Sequence, residues 1–166
     1  MSTATRTVTD SITPESFGQV IARVTGSIAG RSLDRQLQHD LNRRFPPKGI
    51  DFEVIFQSCQ AAIAAGWMCN RDAGGIKYGR VIKPGPVTHG FSVDVVDMPP
   101  LAGPHHAHPN GEIDMIMPLE AGAAFDGSGA GWLVYEPASA HRPTVTTGRA
   151  LVLYLLPGGA IEFTRS

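Results

Sequence analysis

Pro104-His105-His106-Ala107-His108-Pro109-Asn110-Gly111-Glu112-Ile113-Asp114-Met115-Ile116-Met117-Pro118 sets two histidines one residue apart and a carboxylate four residues after the second, then runs into an apolar stretch that alternates as a strand does. Imidazole nitrogen and carboxylate oxygen together suit divalent first-row metals, and three protein ligands with positions left open suit catalysis better than a sealed structural site. His141 is a fourth candidate, far enough along the chain for the backbone to go out and return. Strand side chains alternate faces, so Glu112, Asp114 and Ile116 are expected on one face and Ile113, Met115 and Met117 on the other. Asp114 then shares the surroundings of Glu112, either as support that fixes the tautomer of a ligating histidine or as a general acid. His105 falls out of phase with His106 and is expected to face outward or to cap the turn.

On either side of this stretch the chain has two characters. Thr13-Pro14-Glu15-Ser16 supplies an N-cap, a proline at the first helical position and an early carboxylate, and Phe17, Val20, Ile21, Val24 and Ile28 follow at helical spacing. Leu33, Leu37 and Leu41 predict a second helix, stopped by Phe45-Pro46-Pro47 because proline disfavours helical geometry in the residue before it. A third is predicted from Ile50 to Ala65, with Gly66 as its end. Beyond Asn70 the signals are short β-prone runs separated by glycine and proline: Lys77 to Ile82, Phe91 to Asp97, Glu112 to Met117, Gly131 to Glu136, Thr144 to Thr147, Arg149 to Leu156, and one near Ala160 to Thr164. Many short strands with turns between them predict an antiparallel barrel or double-sheet jelly roll. The expected organisation is a flexible N-terminus over 1–12, a helical segment over 13–69 that packs on the barrel or on a partner subunit, and a β-barrel over 70–166. The glycine-rich Gly122 to Gly131 reads as a loop, since it lacks the Lys-Ser/Thr ending of a phosphate cradle and leads into a strand.

Composition narrows the partners. Lys and Arg number 14 against 15 Asp and Glu, so no basic field points to nucleic acid. Cys59 and Cys69 lack the spacing of a disulfide framework or a zinc finger, which fits a reducing, cytoplasmic setting. Met1 to Ser11 has no apolar core of signal-peptide length, and no run is long enough to span a membrane. A small molecule and a second copy of the chain, as a homodimer, are the expected partners.

His106-x-His108-x-x-x-Glu112, followed by Gly131-x-x-x-x-x-Pro137-Ala138-Ser139-Ala140-His141, resembles the paired motifs of the cupin superfamily. The resemblance covers roughly the barrel portion and implies a double-stranded jelly roll holding one divalent metal, Fe, Mn, Ni, Co or Zn, through His106, His108, Glu112 and His141. The chain departs from the family pattern in two places. Leu119 stands where a glycine usually follows the first motif, and the second motif is one residue short, with Ser139 at its glycine position. Across most of the chain, the helical first third, Gly79-Arg80-Val81-Ile82-Lys83-Pro84-Gly85 and the Pro104–Asp114 stretch resemble the small bacterial 4-hydroxylaminobenzoate lyases. That resemblance implies conversion of 4-hydroxylaminobenzoate to protocatechuate with release of ammonia, in nitroaromatic degradation, without a nucleotide cofactor. The rival expectations are a cupin metalloenzyme of other chemistry, a dioxygenase or isomerase, and a non-enzymatic cupin that binds a small ligand.

For such a substrate the remaining candidates are few. Arg80 lies in a strand-like run; facing inward it offers two parallel donors to a substrate carboxylate, and facing outward it is a plain surface charge. Lys77 and Arg142 are alternatives for that task. His89 is a candidate acid or base, with a solvated turn histidine as the bland alternative. Tyr78 and Tyr135 can donate protons or stack on a ring, though barrel aromatics more often pack. His39 is expected on a helix surface, Met115, Met117, Leu151, Leu153 and Leu155 in the packing, and Trp67 and Trp132 in the core or at an interface.

Overall fold

The computed structural model describes residues 12–164, so the expected flexible N-terminus lies, apart from Ile12, outside the described residues. Three helices, α1 (Pro14–Ile28), α2 (Arg35–Arg44) and α3 (Ile50–Ala64), precede twelve strands. These are β1 (Arg71–Ala73), β2 (Ile76–Ile82), β3 (Phe91–Met98), β4 (Leu101–Ala102), β5 (His106–His108), β6 (Glu112–Pro118), β7 (Ala124–Phe125), β8 (Gly131–Tyr135), β9 (Ser139–His141), β10 (Thr144–Thr146), β11 (Ala150–Pro157) and β12 (Glu162–Phe163).

The helices start where the sequence signals do. Thr13 and Ser16 form a reciprocal capping box at α1, each side chain bonded to the other's backbone N–H. At α2 the helix begins one residue after Asp34, whose carboxylate accepts the Leu37 N–H at 2.9 Å, so Leu33 precedes the helix rather than belonging to it. Past the end of α3, Gly66 takes φ +86°, a left-handed conformation that ends the helix.

All strand pairs are antiparallel. One six-stranded sheet runs β1-β2-β3-β11-β6-β8, and two three-stranded sheets run β4-β10-β7 and β12-β5-β9. Together they form the double-stranded jelly-roll barrel that the cupin resemblance implies. The strands that the sequence did not signal, β1, β4, β5, β7 and β9, are two or three residues long.

The large sheet has two differently used faces. Val93, Val95, Ile113, Met115, Met117, Leu151, Leu153 and Leu155 face the helices and join Phe17, Ile21, Val24, Leu37, Leu41, Phe52 and Ile55 in one buried core. Trp132 is buried in that core, where its Nε1–H donates to the Phe45 carbonyl at 2.9 Å. The helices therefore bury their apolar faces on the outside of their own barrel, and no second subunit is needed for that. The opposite face carries Val96, Met98, Ile116, Val152, Tyr154 and Leu156 into the barrel, together with Phe125 and Val145 from the small sheets.

The outermost strand, β8, is closed by side chains of α2. Asn42 accepts the Trp132 N–H and donates to the Trp132 carbonyl, both at 2.9 Å, and Gln38 accepts the Val134 N–H at 2.9 Å. The two amides stand in for a neighbouring strand and leave that edge without free pairing groups at these positions.

Candidate metal centre

His106 and His108 point inward from β5 and flank Ala107, while His141 sits opposite His106 in the β5–β9 register. Glu112 reaches them from β6 across the barrel. The tight turn between β5 and β6 depends on Gly111, which has φ +86° and lies so close to the Tyr135 carbonyl that a Cβ would stand 2.8 Å from it. This turn is what converts the four-residue spacing of His108 and Glu112 into side chains that meet.

The four ligand atoms all lie within 4.8 Å of one another. Glu112 Oε1 is 3.4 Å from His106 Nε2, and its Oε2 is 3.2 Å from His108 Nε2 and 3.5 Å from His141 Nε2. His141 Nε2 and His106 Nε2 are 3.1 Å apart. Glu112 and His108 are fully buried, yet both Glu112 oxygens and His108 Nε2 lack a hydrogen-bond partner among the described residues. A buried carboxylate and lone pairs aimed at one point are costly unless something satisfies them, and a divalent cation is what three imidazoles and one carboxylate satisfy best. The donor set fits the metal that the sequence resemblance implies.

Two of the candidate donors, His108 and His141, are held through Nδ1 by groups behind them. His141 Nδ1–H donates to Asp126 Oδ2 at 2.5 Å, and the Tyr135 hydroxyl donates to the same oxygen at 2.5 Å. Asp126 Oδ1 accepts the Thr144 N–H at 2.9 Å. His108 Nδ1 bonds to the Ser139 hydroxyl at 2.9 Å. Each arrangement leaves Nε2 free to coordinate. Ser139 replaces the family's glycine, and the left-handed conformation passes instead to Ala138, at φ +68°, whose N–H donates to the His108 carbonyl at 2.8 Å. The departure from the motif thus supplies a bond to a ligand. Asp126 lies in the glycine-rich segment that reads as a plain loop. The signal available in the sequence was an acidic residue next to a glycine in a barrel loop, too common to single it out.

Charge follows from these contacts. Burial opposes ionisation of Glu112, but the three imidazoles outweigh it and hold the carboxyl well below the usual range. Burial also opposes charge on His141, yet Asp126 and Glu112 raise it to about 9. Asp114, fully buried on the same face as Glu112, is pushed well up, by burial first and by the Glu112 carboxylate second.

A cavity of about 730 Å³ opens beside the cluster, with His106 on its wall. Val96, Met98, Leu156 and Ile161 give it apolar sides, and Arg71, Tyr78, Arg80 and Lys83 bring polar groups to the same wall. Arg80 takes the inward one of its two expected orientations. Its Nε and Nη2 donate to Asp94 at 3.1 and 3.3 Å and Nη2 donates to the Gly159 carbonyl at 3.2 Å, while Nη1 makes no hydrogen bond among the described residues. Tyr78 is 37% exposed on that wall. Asp114 does not line the cavity.

Other sequence candidates lie elsewhere. His89 caps the short turn Pro86–Thr88 in a left-handed conformation and shares a 2.9 Å hydrogen bond through Nδ1 with Thr25 of α1, so it docks a helix and is not brought to the cluster. Arg142 donates to the Gly103 carbonyl at 3.2 Å and does not line the cavity. Lys77 pairs in register with Asp97, on the face of the sheet away from Asp94 and the cavity. His105 bonds Thr164 rather than pointing inward, and His39 is exposed on α2.

Comparison with known proteins is consistent along the chain. The family described as PnbB, 4-hydroxylaminobenzoate lyase, matches residues 19–163. The 4-hydroxylaminobenzoate lyase of Nocardioides sp. (strain LMS-CY) is 29% identical over 160 residues, covering 91% of this chain and 95% of that protein. The enzyme of the same name from Pseudomonas putida is 29% identical over 160 residues, covering 86% and 89%. Among solved structures, a cupin-like protein of Thermotoga maritima has a TM-score of 0.44 and 16% identity, covering 57% of this chain and 79% of its own. A DMSP lyase of Ruegeria pomeroyi has a TM-score of 0.47 and 18% identity, covering 87% and 76%. No helix among the described residues is long and apolar enough to cross a membrane. With the family match running from within α1 to β12, across the donor cluster and the cavity wall alike, this chain belongs to the 4-hydroxylaminobenzoate lyase family.

Proposed function

We propose that the protein is a metal-dependent lyase that converts 4-hydroxylaminobenzoate and water to protocatechuate and ammonia. The observation that carries this reading is the family match over residues 19–163, which spans both the cluster and the cavity. The overall change needs no external oxidant: the nitrogen gains the two electrons that the hydroxylated ring carbon gives up as the N–O bond breaks. That balance agrees with a site built from metal donors and no dinucleotide motif.

His106, His108, Glu112 and His141 would hold the metal, which when bound would supply Lewis acidity and a means of activating water. The chain's own residues orient the substrate. Arg80, through Nη1, faces the ring carboxylate together with Arg71 and Lys83, and the apolar wall of Val96, Met98 and Leu156 takes the ring. Holding the carboxylate there turns the para substituent toward His106, an orienting effect that counts for more than the contact itself. Tyr78 edges the same wall. Asp114, buried on the same face as Glu112, is off the cavity wall and so does not meet the substrate.

Metal-replete protein incubated anaerobically with 4-hydroxylaminobenzoate is expected to release ammonia and protocatechuate in equal amounts. Turnover that requires oxygen, or protein that binds metal and releases no ammonia, would refute the lyase reading. His106→Ala is expected to lose metal and activity together; a variant that keeps both removes the ligand assignment.

A further inference from the structure

Among the tyrosines that come near the barrel interior, Tyr154 has a hydroxyl that makes no hydrogen bond to the described residues. It belongs to β11, whose inward row is Ala150, Val152, Tyr154 and Leu156, so it is the one polar side chain on that row. In register it stands between Asp94 of β3 and Asp114 of β6. It is only 7% exposed, it lines the cavity with His106, and its ring lies 6.5 Å from the His106 ring and 6.3 Å from that of Phe125. Its hydroxyl makes no hydrogen bond among the described residues and, unlike the carboxylate oxygens of Glu112 and Asp114, is not sealed from solvent, so it is reachable from the cavity. Tyr135, by contrast, gives its hydroxyl to Asp126, and Tyr78 keeps 37% of its surface exposed.

A phenol hydroxyl that meets solvent only through a cavity exchanges its water for a polar group of whatever fills that cavity, and phenylalanine at the same place would offer none. An orphan hydroxyl on the wall of a cavity, next to a metal ligand, finds its partner in what enters the cavity. We propose that Tyr154 is a catalytic residue whose hydroxyl donates a hydrogen bond to the para substituent of a benzoate bound in this cavity, the hydroxylamino oxygen of the substrate. The identity of that substituent rests on the lyase reading; the hydrogen bond itself does not. With an ordinary phenol ionising near pH 10, Tyr154 is a donor throughout the neutral range, and the role requires no proton to leave it.

The test is a binding cycle on metal-loaded protein. Wild type and Tyr154→Phe are titrated with benzoate and with 4-hydroxybenzoate, and turnover of 4-hydroxylaminobenzoate is measured on both. Wild type is expected to prefer 4-hydroxybenzoate by about tenfold, the worth of one added hydrogen bond. Tyr154→Phe is expected to lose that preference while keeping its metal content, its melting temperature and its affinity for benzoate, and to lower kcat at least tenfold. Retention of both the preference and kcat overturns the proposal, as does an equal loss of affinity for both probes, which marks a packing role. If wild type shows the preference, the variant loses it and neither releases ammonia, the lyase reading fails while the hydrogen bond to Tyr154 stands.

Discussion

Asp126 serves three neighbours with one carboxylate: His141 Nδ1 and the Tyr135 hydroxyl at Oδ2, and the Thr144 N–H at Oδ1. Burial alone would raise its carboxyl, but these donors outweigh it and hold the group below the usual range, so it is a fixed anion behind a ligand. Asp126 takes φ +48°, a left-handed conformation that aspartate adopts more readily than most side-chain-bearing residues. Asp126→Asn keeps the shape and removes the charge that holds His141 in the coordinating tautomer. Metal affinity is expected to fall about 10- to 100-fold, as read by competition against a chromophoric chelator, with the secondary structure unchanged. Unchanged affinity would mean that the Tyr135 and Glu112 contacts alone orient His141. Ser139→Ala, which removes a neutral hydroxyl from His108, should cost less in the same assay.

At the scale of elements, α2 is joined to β8 by Gln38 and Asn42, two polar residues on a helix whose leucines alone mark its buried face. Asn42→Ala leaves the N–H and carbonyl of Trp132 without partners at a covered edge. It is expected to lower stability by about 1–3 kcal/mol in urea unfolding. A smaller loss would show that water replaces the amide. The three helices were legible because caps and a 3.6-residue period are local signals: Thr13 and Ser16 announce α1, and Pro46 ends α2. Long strands such as β6 and β11 were legible from their apolar runs. β1, β4, β5, β7 and β9 were not, since two or three residues carry no period and exist as strands only because a partner lies beside them. The pairing of Asn42 with Trp132 is invisible for the same reason, being a contact across ninety positions that neither residue type announces.

For the molecule as a whole, the large sheet divides stability from chemistry between its faces. Its outer face, with the helices, is a continuous apolar core that contains Cys59 and Cys69. Burial pushes the Cys69 thiol up to about 12 and Cys59 further still, so neither offers appreciable thiolate at pH 8. Alkylation by iodoacetamide at that pH is accordingly expected only as fast as the core opens; rapid labelling of native protein would contradict this packing. The inner face contributes Glu112 to the candidate donor cluster, and the small β12-β5-β9 sheet contributes His106, His108 and His141, residue types whose spacing is visible in the sequence. Asp126, which supports the cluster, was hidden because it comes to His141 only through barrel closure. That closure also links metal to fold. The donors arrive from β5, β6 and β9, so an ion bound between them ties the large sheet to a small one, while in the unfolded chain the same groups are dispersed. Binding to the folded state alone adds about 2.7 kcal/mol when the metal is at a hundred times its dissociation constant. At about 2–4 °C per kcal/mol for a domain of this size, metal loading is expected to raise the melting temperature by about 5–10 °C over chelated protein. Glu112→Gln removes the anionic donor without removing volume. In that variant the shift should shrink strongly, and a shift of full size would place the ion somewhere other than between these strands.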